Sequence, residues 1–143
     1  MNLNPEIWGP HYWFMLHTIA FHYPRYPNDV TKKKYYDFIS NIPLFIPVES
    51  ISSDFSKLID LYPITPYLDS RESFIKWIHF IHNKVNEKLE KPKISLEEFY
   101  MQYYEKFKPK EIKMKEIYRW KEKLIYTIVI LSLVCITLYL YNK

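Results

Sequence analysis

Between Leu124 and Tyr141 the chain runs for 18 residues, LIYTIVILSLVCITLYLY, without one charge. A helix crossing the hydrocarbon layer needs about 20 predominantly apolar residues, with a lower limit near 17, so this run is just long enough to span. Tyr126, Tyr139 and Tyr141 stand at its ends as an interfacial aromatic belt would. A buried C-terminal helix of a soluble bundle is the alternative, but a core helix of this length seldom lacks every charge. The run is therefore read as a transmembrane helix over 124–141 and the chain as a C-terminally anchored, single-pass protein. Residues 106–123 hold eight Lys or Arg against three Glu, which puts the body on the cytoplasmic side and only Asn142 and Lys143 across the bilayer.

The anchor gives the formal net charge of +4 a role: the basic juxtamembrane segment, taken as 109–123, lies next to the membrane, where each Lys or Arg near anionic lipid gains about 1 kcal/mol. A nucleic-acid site would need basic residues interleaved with stacking aromatics on a folded platform. Tyr103, Tyr104, Tyr118 and Trp120 lie nearby, yet lipid accounts for both features more simply, and no nucleic-acid partner is expected. Met1 to Glu6 is polar and lacks a basic n-region before an apolar run, so no signal peptide is expected.

Upstream of the anchor, prolines cut the chain into helical pieces. One Gly among 143 residues, with no GxGxxG or GxxxxGK[ST] string, excludes a glycine-rich phosphate loop. The only cysteine, Cys135, excludes a disulfide framework, a zinc finger and a CxxC. The first helix is expected to end at Tyr23, with Trp13, Leu16, His17, Ala20 and Phe21 on one face. The second spans about 30–41 with Tyr35, Phe38 and Ile39 inward, and the third about 48–61. The fourth spans about 70–91. Ser95 followed by Glu98 makes a capping box for a short fifth helix to about Phe107. No alternating strand pattern appears. The fold class is all-α: a four-helix bundle plus a short fifth helix, with the membrane helix appended.

The stretch His82-Asn83-Lys84-Val85-Asn86-Glu87-Lys88-Leu89-Glu90-Lys91-Pro92 carries the most chemistry. On a helix, His82, Val85, Asn86 and Leu89 fall at i, i+3, i+4 and i+7, one face mixing a ring and a carboxamide with aliphatic groups. Buried carboxamides need partners, so a ligand or a polar network is one reading of that face. A half-exposed helix end meeting water is the other, and spacing alone leaves the two level.

Three stretches together resemble the Erv/ALR family of FAD-linked sulfhydryl oxidases. Gly9-Pro10-His11-Tyr12-Trp13-Phe14-Met15-Leu16-His17-Thr18 is similar to the family's GR-x-x-W-x-x-LHT, with Tyr23-Pro24 following. His82 to Pro92 is similar to its HN-x-VN-x-x-L-x-KP. Phe45-Ile46-Pro47, leading to Ser53-Asp54-Phe55, stands where the family has its redox site. The match covers roughly residues 8 to 104, and the two strings at this separation are far more specific than either alone. The resemblance implies an FAD-binding helical domain over 1–108. By residue-by-residue carry-over, Trp13 would pack on the cofactor and His17 would reach its diphosphate-ribose side. His82, Asn83, Val85 and Asn86 would contact adenine and ribose, Lys88 and Lys91 would pair with the phosphates, and Tyr103 would stack on the adenine. Taken without the resemblance, Trp13 and Tyr103 read as core and the two lysines as a solvated face.

The departures from the family are chemical. Pro10 replaces an arginine that contacts FAD. In Pro47-Val48-Glu49-Ser50-Ile51, Val48 and Ile51 occupy both cysteine places of the family's redox CxxC, and an aliphatic side chain can neither attack a disulfide nor pass an electron pair. His79 and Leu96 stand where the family carries its structural disulfide. Cys135, mid-anchor, cannot substitute, since a thiolate is strongly disfavoured in lipid.

Two functions are expected from this. The first is an FAD-linked sulfhydryl oxidase family protein, similar to the membrane-anchored forms of large DNA viruses, that cannot run the thiol relay by itself; a virion or host internal membrane would be its location. The second is a non-catalytic, anchored interaction module. Expected partners are the membrane, a second copy of the chain, and a thiol protein substrate or an active oxidase. A metal enzyme built on His79-x-x-His82 with His17 or His22 lacks any supporting carboxylate pattern, and no metal is expected.

Overall fold

A computed structural model describes residues 3–143 of the chain. Among the described residues all regular structure is helical: α1 Pro5–Phe21, α2 Asp29–Asn41, α3 Glu49–Leu61, α4 Arg71–Lys88, α5 Leu96–Glu105 and α6 Lys110–Tyr141, with 3-10 turns at Ile42–Phe45 and Thr65–Tyr67. The order is the one that the proline punctuation and apolar spacing predict. Contacts divide the chain into two compact units, Met1–Tyr103 and Tyr104–Lys143.

Most helix starts in the first unit are fixed by short polar side chains that satisfy the orphan amides of the first turn. Asn4 accepts from the Glu6 amide at 2.9 Å, Asn28 from Thr31 at 2.8 Å and Ser70 from Ser73 at 3.1 Å. At α5 the capping box is reciprocal: the Glu98 amide donates to the Ser95 hydroxyl at 3.1 Å and the Ser95 amide to the Glu98 carboxylate at 2.7 Å. Helix α3 is the exception. Its N-cap is Val48, which offers no side-chain acceptor.

The core forms where α1 and α4 pack together. Leu16, Ala20 and Phe21 of α1 meet Phe74, Ile75, Trp77, Ile78 and Ile81 of α4. Each large apolar side chain fully removed from water contributes about 1.5–3 kcal/mol, so this seam dominates the stability of the unit. Two core aromatics have their polar ends satisfied in place: the Trp77 indole N–H donates to the Tyr62 carbonyl at 2.9 Å and the Tyr23 hydroxyl to the Leu68 carbonyl at 2.7 Å. Phe38, expected inward, is exposed, while Ile39 is buried. Tyr35 and Ile39 at i, i+4 form the narrow packed stripe of α2, and Phe38 is rotated about 100° off it.

Helix α4 stops at Lys88, three residues before the expected Lys91. The Glu90 amide donates back to the Glu87 carbonyl at 3.2 Å and the Lys91 amide to the Asn86 carbonyl at 2.8 Å. With Glu90 at φ 54°, these bonds make a Schellman motif, in which a left-handed residue closes the helix. Leu89 consequently falls off the His82 face and is exposed.

The second unit is dominated by α6, 32 residues long. No Pro or Gly lies between Lys110 and Tyr141, so its basic and apolar parts are one unbroken helix. Its most apolar window has a mean hydropathy of 2.3 and no buried residue, and the helix is long and apolar enough to cross a membrane.

Candidate functional site

Trp13 and His17, one turn apart on α1, project toward α4 beside the buried Leu16 and Ala20. Opposite them stands His82. The Trp13 indole stacks on the His82 ring at 4.0 Å with 17° between planes, and His17 Nε2 lies 3.2 Å from His82 Nδ1. The His17 ring meets Phe99 of α5 edge-on at 4.4 Å, and Trp13 meets Phe55 of α3 at 6.4 Å. A nitrogen-to-nitrogen hydrogen bond needs one donor and one acceptor, so the two imidazoles cannot both be charged across it. Burial chiefly, then the nearby His79 and the positive charge of Lys91, pulls the His82 pKa down to about 4. His82 is therefore neutral at pH 7.

The other residues of the stretch take three different places. Val85 packs against the core. The Asn86 carboxamide, half-buried on the His82 face, makes no hydrogen bond to the described residues. Lys88 forms an ion pair at 2.6 Å with Asp54 of α3, which holds the Asp54 carboxyl below its ordinary range. Asn83 turns to its own chain: Oδ1 accepts from the Ile94 amide at 3.0 Å, and Nδ2 donates to the Ile94 carbonyl at 2.9 Å. Tyr103 is buried with its ring stacked on Phe21 at 4.2 Å and near Phe14. Pro10 lies inside α1 on its exposed side.

Residues 47–51 fall at the start of α3. Val48 is the N-cap and Ile51 the third helical residue, the place where amide dipoles lower a thiol's pKa most effectively. Ile51 precedes Phe55 by one turn on the same face, and Phe55 touches Trp13. The approach to this turn is held by Tyr12 of α1, whose hydroxyl donates to the Phe45 carbonyl at 2.6 Å. The start of α3 thus carries two aliphatic side chains, one turn before the Phe55 that meets Trp13.

Sequence reasoning missed the partners Asp54, Phe99 and Ile94. Ile94 is bound through its backbone, which no side-chain pattern announces. Two surface clefts lie apart from the aromatic cluster, one of about 390 Å³ between Tyr62, Trp77 and Phe80, the other of about 300 Å³ beside Lys32 and Tyr36. Among the described residues no group of three or more His, Cys, Asp or Glu is placed to hold a metal.

A small all-α domain with a Trp–His stack between its first and fourth helices, and Phe55 of its third helix beside it, is of the Erv/ALR type. The sequence profile of the Erv1 / Alr family matches residues 10–105, and the chain belongs to that family. It is 34% identical over 85 residues to a probable FAD-linked sulfhydryl oxidase of Acanthamoeba polyphaga mimivirus, covering 59% of each chain. It is 37% identical over 81 residues to the mitochondrial FAD-linked sulfhydryl oxidase ERV1 of Saccharomyces cerevisiae, covering 57% of this chain and 42% of that one. The chain thus spans about half the length of the curated relatives it matches. Among solved structures, the FAD-binding domain of Erv1 from Saccharomyces cerevisiae superposes with a TM-score of 0.66 at 31% identity, over 71% of this chain and 95% of that one. The yeast Erv1 core gives 0.64 at 31% identity, over 72% and 88%.

Proposed function

We propose that this chain is a membrane-anchored FAD-binding protein of the sulfhydryl oxidase family that holds the cofactor but takes its thiols from another protein. The observation that carries the reading is the pairing of a half-buried Trp13–His82–His17 cluster with an α3 start that holds Val48 and Ile51. The donor set fits a flavin dinucleotide. Planar rings match a planar heterocycle, the Asn86 carboxamide has hydrogen bonds to offer, and Lys91 and Lys88 supply charge for a diphosphate. Lys88 is shared with Asp54, so Lys91 is the stronger of the two. Trp13, His17, His82, Val85, Asn86, Lys88 and Lys91 would hold the group, with Tyr103 behind them. Asn83 would act through the backbone it binds.

When bound, FAD supplies an acceptor for the two electrons of a dithiol and a route for them to oxygen. The residues at the start of α3 cannot deliver those electrons. A dithiol of a substrate, or of an active oxidase beside this chain, would have to reach the site directly. A second reading, a non-catalytic partner of such an oxidase, is favoured by the same two aliphatic side chains. The apolar helix α6 would hold the body at the cytoplasmic face of a virion or host internal membrane.

The test starts with the full chain in detergent. Bound flavin should absorb at about 450 nm, a property of the cofactor itself; a chain that stays colourless after FAD is added sinks the cofactor reading. Oxygen consumption with dithiothreitol should sit near background and rise when Val48→Cys and Ile51→Cys are introduced together. Equal rates before and after would show that the relay is not what this chain lacks.

A further inference from the structure

The chain leaving α4 is fastened back onto it at one residue. Both backbone groups of Ile94 are engaged by Asn83, and the Ile94 carbonyl also receives His79 Nε2 at 2.8 Å. That carbonyl has two lone pairs, and the two donors fill them. His79 is thereby assigned the Nε2–H tautomer, and the 3.0 Å contact between Asn83 Nδ2 and His79 Nε2 is two donors aimed side by side at one oxygen. The Schellman turn at Glu90 closes one end of the loop, and the Ser95–Glu98 box closes the other. His79 and Asn83 sit one turn apart on α4, and Phe99 packs edge-on against His79 at 5.3 Å. Lys91 begins this loop, its amide bonded to the Asn86 carbonyl at 2.8 Å, one turn beyond His82 on α4.

We propose that His79 and Asn83 are positioning residues: by clamping both backbone groups of Ile94 they hold the 89–94 loop closed at the C-terminal end of α4, and with it Lys91, which meets the diphosphate of a dinucleotide there. The proposal rests on the cofactor reading given above. Lys has four rotatable carbons and a strongly hydrated charge, so a lysine on a loose loop loses much of its contact to ordering entropy. The clamp removes the backbone part of that loss.

A coupling experiment on the full chain in detergent tests this, with FAD affinity read from flavin fluorescence quenching. Lys91→Met should weaken FAD about tenfold, as expected when a charged contact is lost. His79→Ala should weaken it by a similar factor, and His79→Gln, whose amide can still donate to the Ile94 carbonyl, should recover most of it. In the Lys91→Met background His79→Ala should change affinity by less than about twofold, since interacting sites are not additive. Amide exchange at Lys93 and Ile94 should speed up in His79→Ala while the α1 and α4 core amides stay protected, which separates a loosened loop from a failed fold. Equal losses from His79→Ala in both backgrounds, or unchanged exchange at Ile94, would overturn the positioning role and leave cofactor binding intact. A wild-type chain that binds no FAD would overturn the cofactor reading and the role of the clamp with it.

Discussion

At His82 burial and charge act in the same direction. The ring is buried against the Trp13 indole and His17, and that burial first, then His79 and Lys91, disfavours a positive charge on it. The folded pKa of about 4 lies below the ordinary 6.5. Between these values the unfolded chain binds a proton that the folded chain refuses, so stability rises with pH across this window. The contribution is full above pH 6.5 and is lost as the pH falls toward 4, to a limit of about 3 kcal/mol. Denaturation midpoints measured from pH 7 to pH 4 should fall accordingly, and a midpoint flat across this range would contradict the burial of a neutral His82. Glu90 gives a second expectation. It occupies the left-handed region at φ 54°, which a side chain adopts at a cost and glycine adopts freely. Glu90→Gly should raise stability by about 0.5–1 kcal/mol in denaturant titrations, and a loss would mean that the carboxylate itself matters there.

Among the elements, helix number, order and caps were legible because they depend on residues close together in sequence. The Ser95–Glu98 pair reads as a capping box and acts as one, and of the two candidates before α2 and before α4, Asn28 and Ser70 are the caps. Ser95→Ala should therefore cost about 1 kcal/mol and raise exchange at the first amides of α5; unchanged exchange would show that α5 is held by Phe99 and Tyr103 alone. The end of α4 was less legible. Its periodicity runs on to Leu89, and nothing local shows that Glu90 takes a conformation normally left to Gly or Asn. The side-chain cluster was readable in part. Trp13, His17 and His82 could be grouped because their motifs lie on regular helices. Asn83 could not be placed, since the same residue type serves a ligand or a backbone equally well and only the return path of residues 89–94 decides between them. Phe38 failed for a related reason: a short helix packed along one narrow stripe leaves apolar residues outside.

For the whole molecule, the division into Met1–Tyr103 and Tyr104–Lys143 makes a direct prediction. The core residues Leu16 through Tyr103 all lie in the first unit, so a chain cut after Tyr103 should keep the helical circular dichroism of that unit and a thermal midpoint close to that of the full chain. A cut chain that is unfolded would show that the second unit contributes to the first. The full chain should resist alkaline extraction from membranes, and the cut chain should not.

The clamp at Ile94 bears on the compartment in which this protein can fold. Its only sulfhydryl is Cys135 in α6, and the loop after α4 is closed by an imidazole and a carboxamide. Those bonds are indifferent to glutathione, thioredoxin or any oxidant. Maturation of the domain therefore requires no electron acceptor, and a reducing cytosol is as permissive for it as an oxidising lumen.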